Sequence, residues 1–146
     1  MSLPPLPQSA IVIAAEAADW QAAVTLAGDA LARSGAATPR YSREMIRMIE
    51  EHGPYVVIAP GLALAHARPG PEVLADGLSI VTLAEPVNFG HPHNDPVRVI
   101  LGLAVTVASQ HLAAVAAVAN VFNDSTAIAD LAAATSADEV QRIMRA

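Results

Sequence analysis

The segment Tyr55-Val56-Val57-Ile58-Ala59-Pro60-Gly61-Leu62-Ala63-Leu64-Ala65-His66-Ala67-Arg68-Pro69 decides how the chain is read. Residues 55–58 are short, rich in β-branched side chains and bounded by Pro54 and Pro60, which predicts a buried strand. Residues 60–71 mix Gly, Pro and Ala, read as a loop, and carry His66 and Arg68. Residues 78–83 alternate in part and predict a second strand. Residues 85–96 read as a long loop holding His91 and His93. Residues 97–107 predict a third strand, apolar enough to be covered on both faces.

Helices bracket this region. Residues 1–8, with three prolines, read as an irregular N-terminal arm. Trp20, Ala23, Val24, Ala27, Ala30 and Leu31 recur at helical spacing, with Asp19 as N-cap and Ser34-Gly35 as the stop. Thr38-Pro39 predicts a second helix start, because Thr can cap free N–H groups and Pro at the first helical position loses no hydrogen bond. Tyr41, Met45, Met48 and Ile49 should then face inward until Gly53-Pro54. Ser109-Gln110 opens a helix through Val121, and Asn123-Asp124 breaks it and caps another over residues 125–134. Ser136-Ala137-Asp138-Glu139 fits a capping box for the last helix. Helices, then strands, then helices again predict an α/β or α+β arrangement, a sheet covered by helices.

Composition narrows the chemistry. The 146 residues suit one domain, and 53% hydrophobic residues are enough for a core. Without cysteine there is no disulfide framework, thiolate metal site or cysteine nucleophile. All eight basic residues are arginines, so a Walker loop and a Schiff base, which need lysine, are ruled out. A formal charge of −6 argues against a nucleic-acid binder. The opening Met1-Ser2-Leu3-Pro4-Pro5 does not resemble a signal peptide, and the longest apolar run falls short of the roughly 18 residues of a membrane span. A cytoplasmic domain without membrane insertion is the expectation. No G-x-S-x-G or G-x-G-x-x-G motif and no telling carboxylate pair occurs.

Five histidines carry the remaining chemistry. His52, beside Glu50 and Glu51 at a helix end, reads as a solvated residue without function. His66 sits among small residues that leave room for a partner surface, and Arg68 supplies a cation for an anion formed there. A structural loop histidine fits the same pattern. His111 stands in the first turn of a helix, where the macrodipole opposes a cation but a neutral imidazole suits an incoming phosphate. Ser109-Gln110 also makes an ordinary polar helix start. Both histidines follow strands, where open α/β sheets place ligands. His91-Pro92-His93-Asn94-Asp95 has a metal-like spacing, but Pro92 favours a turn, with Asp95 bonding local backbone as loop support.

At these residues the sequence resembles the enzyme IIA components of the bacterial sugar phosphotransferase system, mannitol/fructose type, closest to the ascorbate branch. The likeness rests on residues 53–63, His66 with Arg68-Pro69, residues 79–83, Asn94-Asp95-Pro96-Val97, His111 and Asn120-Val121-Phe122. Trp20-Gln21-Ala22-Ala23-Val24 and Pro39-Arg40-Tyr41 extend it over roughly residues 5–145. The resemblance implies a three-layer αβα sandwich with a mixed central sheet, forming a single IIA domain over residues 1–146. It implies that His66 accepts a phosphoryl group from the phosphocarrier protein HPr, with His111 supporting and Arg68 stabilising the phosphate. A cysteine of a IIB component on another polypeptide is then the next acceptor. No cofactor or metal is implied, and a homodimer is compatible with it. Two departures are visible: Ala65 replaces the proline usual before the acceptor histidine, and His93 stands where the ascorbate branch has an acid. Two other readings remain: a nitrogen-regulatory IIA phosphoprotein, and a metal-dependent enzyme using His91, His93 and Asp95.

Overall fold

The computed structural model describes residues 3–145. Five strands form one mixed sheet: β1 (Ile11–Ala15), β2 (Val57–Ala59), β3 (Leu62–His66), β4 (Gly77–Val87) and β5 (Val97–Ala104), in the order β1-β4-β5-β3-β2. The β1–β4 and β3–β5 pairs are parallel; β4–β5 and β2–β3 are antiparallel. The helices are α1 (Trp20–Arg33), α2 (Tyr41–His52), α3 (Ala108–Val121), α4 (Ala127–Ala133) and α5 (Ala137–Met144).

The sheet separates two cores. On β3, Ala63 and Ala65 face a cluster built with Ala23, Val24 and Leu31 of α1 and Tyr41, Met45 and Ile49 of α2. Leu62 and Leu64 face the opposite cluster, with Val118 and Val121 of α3, Leu131 of α4 and Val140 and Met144 of α5. Alternation along the strand thus puts small side chains under one helical layer and large ones under the other. The result is an α/β fold with helices on both faces of the sheet, as expected.

Local differences have physical causes. β3 replaces the predicted loop and makes His66 a strand end. Its alanines have modest β-propensity, but its place between β2 and β5 buries both faces and overrides that preference. Pro60-Gly61 is the tight turn joining β2 to β3, and Gly61, at φ 84°, occupies a position L side chains rarely adopt. β2 begins two residues later than expected. β4 runs on through Val87, shortening the predicted loop, and β5 ends at Ala104 rather than continuing to Val107. β1, for which no element was expected, pairs along the sheet edge.

Asp19 caps α1 by accepting from the Ala22 N–H at 2.8 Å. α2 starts at Tyr41 instead of Pro39, because Thr38 bonds the Arg40 N–H and the Glu72 carboxylate and closes a turn first. Met48 is only half-buried, while Tyr41, Met45 and Ile49 face inward. α3 begins at Ala108 with no side-chain cap, and α4 begins only at Ala127, after Asp124 closes a turn onto Thr126. Ser136 caps α5 through the Glu139 N–H, but the Glu139 carboxylate bonds the Thr135 N–H, completing only half of the box. Within the N-terminal arm, Met1 and Ser2 lie outside the described residues. Residues 3–7 lack regular structure yet are pinned: the Pro5 carbonyl accepts from Leu78 N–H and the Leu6 carbonyl from the Gln141 amide. A short 3-10 turn, Gln8–Ala10, follows. Among the described residues, no helix is long and apolar enough to cross a membrane.

Candidate active site

Because β3 and β5 are parallel, their carboxyl ends lie at one edge of the sheet, with His66 paired to Leu103 at the last step of the register. Alternation puts His66 on the same face as Leu62 and Leu64, toward α3. The chain leaves β5, turns, and enters α3 there. The imidazoles of His66 and His111 thereby meet with ring centroids 5.0 Å apart and tilted by 55°. Asp76 fixes this entry to α3 by accepting from the Thr106 N–H and hydroxyl at 2.8 and 3.0 Å.

The His66 ring is half-buried and oriented. Its Nδ1 lies 2.9 Å from the Leu64 carbonyl. A carbonyl only accepts, so Nδ1 donates its proton there and Nε2 is left with a lone pair. Burial holds the imidazole below the ordinary histidine range. The Leu64 bond opposes this shift, and the neighbouring His111 adds to it. Tyr55 packs edge-on against His66, with centroids 5.7 Å apart and planes at 82°. His52 in turn meets Tyr55 at 6.4 Å.

An open cavity of about 560 Å³ joins these groups; His52, Tyr55, His66, Arg68, Ala108 and His111 are among its lining residues. Ala108 is the first residue of the uncapped α3, so backbone N–H groups of a helix amino end border the cavity. The expected pair His66 and His111 is together, and Arg68 lines the same space. Tyr55 and His52 were not singled out for this site. Only the scarcity of aromatic residues and the Gly53-Pro54 turn before Tyr55 hinted at the first.

The remaining candidates lie elsewhere. Asp95 accepts from the Phe89, Gly90 and His91 N–H groups at 3.0, 2.7 and 3.0 Å, tying the loop after β4. His91 Nδ1 accepts from the His93 and Asn94 N–H groups at 3.1 and 3.0 Å. These lone pairs serve the turn. Among the described residues, no group of three histidine or carboxylate side chains is arranged to hold a metal ion.

Comparison with known proteins gives the family. Residues 5–146 match the family described as "Phosphoenolpyruvate-dependent sugar phosphotransferase system, EIIA 2". The ascorbate-specific EIIA component of Salmonella choleraesuis is 38% identical over 133 residues, covering 90% of this chain and 86% of that protein. The crystal structure of a IIA protein, PtxA, from Streptococcus mutans superposes with a TM-score of 0.85 at 33% identity, over 94% of this chain and 88% of the other. A complex of mannitol enzyme IIA with phosphorylated enzyme IIB from Escherichia coli shares the fold, with a TM-score of 0.85 at 24% identity over 97% of each chain. Sequence and fold define a phosphotransferase of the phosphohistidine-carrying kind. The chain belongs to the EIIA type 2 family of the sugar phosphotransferase system, with ascorbate-specific components among its relatives.

Proposed function

We propose that this protein is a cytoplasmic single-domain phosphocarrier that accepts a phosphoryl group on His66 Nε2 from phospho-HPr and passes it to a cysteine of a IIB component, supporting uptake of an ascorbate-like carbohydrate. The observation that carries the reading is the Nδ1–Leu64 hydrogen bond, which presents an uncharged Nε2 beside His111 and Arg68. The Nε2 lone pair attacks phosphorus, the donor's N–P bond breaks, and the donor imidazole leaves with that electron pair. In the second step a thiolate attacks, the S–P bond forms and the His66 N–P bond breaks. Arg68, His111 and the first N–H groups of α3 receive the equatorial oxygens, where charge must be stabilised. Asp95 supports the loop after β4, away from these groups. No cofactor takes part in these steps.

The ascorbate-specific relatives favour carbohydrate uptake over the nitrogen-regulatory reading. The mannitol enzyme IIA of Escherichia coli meets phosphorylated IIB in its complex, a precedent for the second partner. Incubation with phosphoenolpyruvate, enzyme I and HPr is expected to give acid-labile label on wild-type protein and none on His66→Ala. Equal labelling of both would overturn the reading.

A further inference from the structure

Alternation along β3 and just beyond it sends His66 toward α3 and the next residue, Ala67, toward α2. There the hydroxyl of Tyr41, the first residue of α2, accepts from the Ala67 N–H at 3.0 Å and donates to the Leu103 carbonyl at 2.7 Å. Leu103 is the register partner of His66. Tyr41 is 1% exposed, so these bonds face no competition from water. We infer that Tyr41 is a positioning residue for phosphoryl transfer: its hydroxyl ties the peptide between His66 and Arg68 to the end of β5.

The inference rests on the reading of His66 as acceptor, and deepens it. Ala67 is the only residue between the nucleophile and the arginine, so fixing its N–H fixes the direction in which both side chains leave the backbone. Beyond His66 the β3–β5 register has ended, and the strand ladder no longer constrains the chain. Position 65, immediately before the acceptor, is an alanine, which does not lock φ as a proline does. A buried hydroxyl that satisfies one donor and one acceptor supplies the missing constraint from the other side of the sheet. Burial also pushes the Tyr41 hydroxyl up to about 12, so it keeps its proton, and its donor role, at any pH at which the protein works.

Tyr41→Phe keeps the buried ring and removes only the clamp. At saturating phospho-HPr it is expected to slow phosphorylation of His66 about tenfold, within the net worth of the two hydrogen bonds removed, with the KM for the donor unchanged. In ¹⁵N-resolved NMR of the unphosphorylated protein, the His66 ring signals should move away from the single Nδ1–H tautomer toward an average of the two. Val140→Ala, which thins the core on the opposite face of the sheet, is the comparison: it should lower stability while leaving the rate and the ring signals as in wild type. Wild-type ring signals and a wild-type rate in Tyr41→Phe would overturn the clamp, as would an equal rate loss in Val140→Ala at matched stability. The NMR arm needs no donor protein, so it reads the clamp even if labelling shows that His66 is not the acceptor.

Discussion

His66 and His111 come from different elements, one ending a strand and the other in the first turn of a helix, yet their rings lie 5.0 Å apart. The parallel pairing of β3 with β5 creates this proximity, since it brings the exits of both strands to one edge. In the proposed transfer an uncharged His66 bonds phosphorus while His111, at that distance, faces its oxygens; two imidazolium ions would repel.

That argument sets a pH dependence. The folded pKa of His66 lies below its unfolded value near 6.5, so the folded state binds fewer protons in the window between the two. The contribution of this group to stability is full above about pH 6.5 and is lost as pH falls through the folded value. An NMR titration should place the His66 midpoint below 6.5. His111→Ala should raise that midpoint, because a neighbouring positive charge is removed; a midpoint at or above 6.5 in wild type contradicts the burial argument.

His111→Ala should leave His66 phosphorylatable but slow delivery to IIB by about a hundredfold, the usual scale for losing one donor to a developing oxyanion. Rapid-quench transfer from the labelled protein measures it. Onward transfer at the wild-type rate removes His111 from its role.

Stability should be sensitive where helix meets helix. A Cβ at Gly28 of α1 would stand 2.5 Å from Ser42 Cβ and 2.8 Å from Ser42 Cα of α2, too close to backbone for a rotamer change to relieve. Gly28→Ala should cost about 1–3 kcal/mol, as overpacking commonly does. Urea unfolding gives the number, and an unchanged midpoint would show that α1 and α2 separate freely.

Asp95→Ala removes the acceptor of three loop N–H groups. A loss of about 1–3 kcal/mol is expected, with faster amide exchange at Phe89, Gly90 and His91. The metal reading predicts something else: a melting temperature that falls with chelator and rises with zinc. Neither shift is expected, given that His91 Nδ1 and both Asp95 oxygens are already engaged by the turn.

Much of the fold could be read from the chain. The periodicity of Trp20 to Leu31, the Asp19 and Ser136 caps and the apolar run ending β5 all depend on interactions within a few residues, which sequence patterns record directly. Where distant groups decided, sequence reading stopped short. Leu62-Ala63-Leu64-Ala65 looks like a loop between Pro60-Gly61 and Pro69, and becomes a strand because β2 and β5 supply its hydrogen bonds. Thr38 looks like a cap for Pro39, but Glu72 competes for it and moves the helix start.

The same division holds at the site. His66, Arg68 and His111 could be named from residue type, local setting and family likeness, because their chemistry is a property of the side chains. The Leu64 carbonyl that sets the tautomer, the Tyr55 ring against the imidazole and the Tyr41 hydroxyl on Ala67 could not. Two of these three contacts reach across elements, and the third needs the strand that only pairing creates. The sequence by itself determined which side chains are on offer for the proposed phosphoryl transfer. The tertiary structure decided which nitrogen is free and what holds it, because orientation depends on partners that only the folded sheet brings within hydrogen-bonding distance.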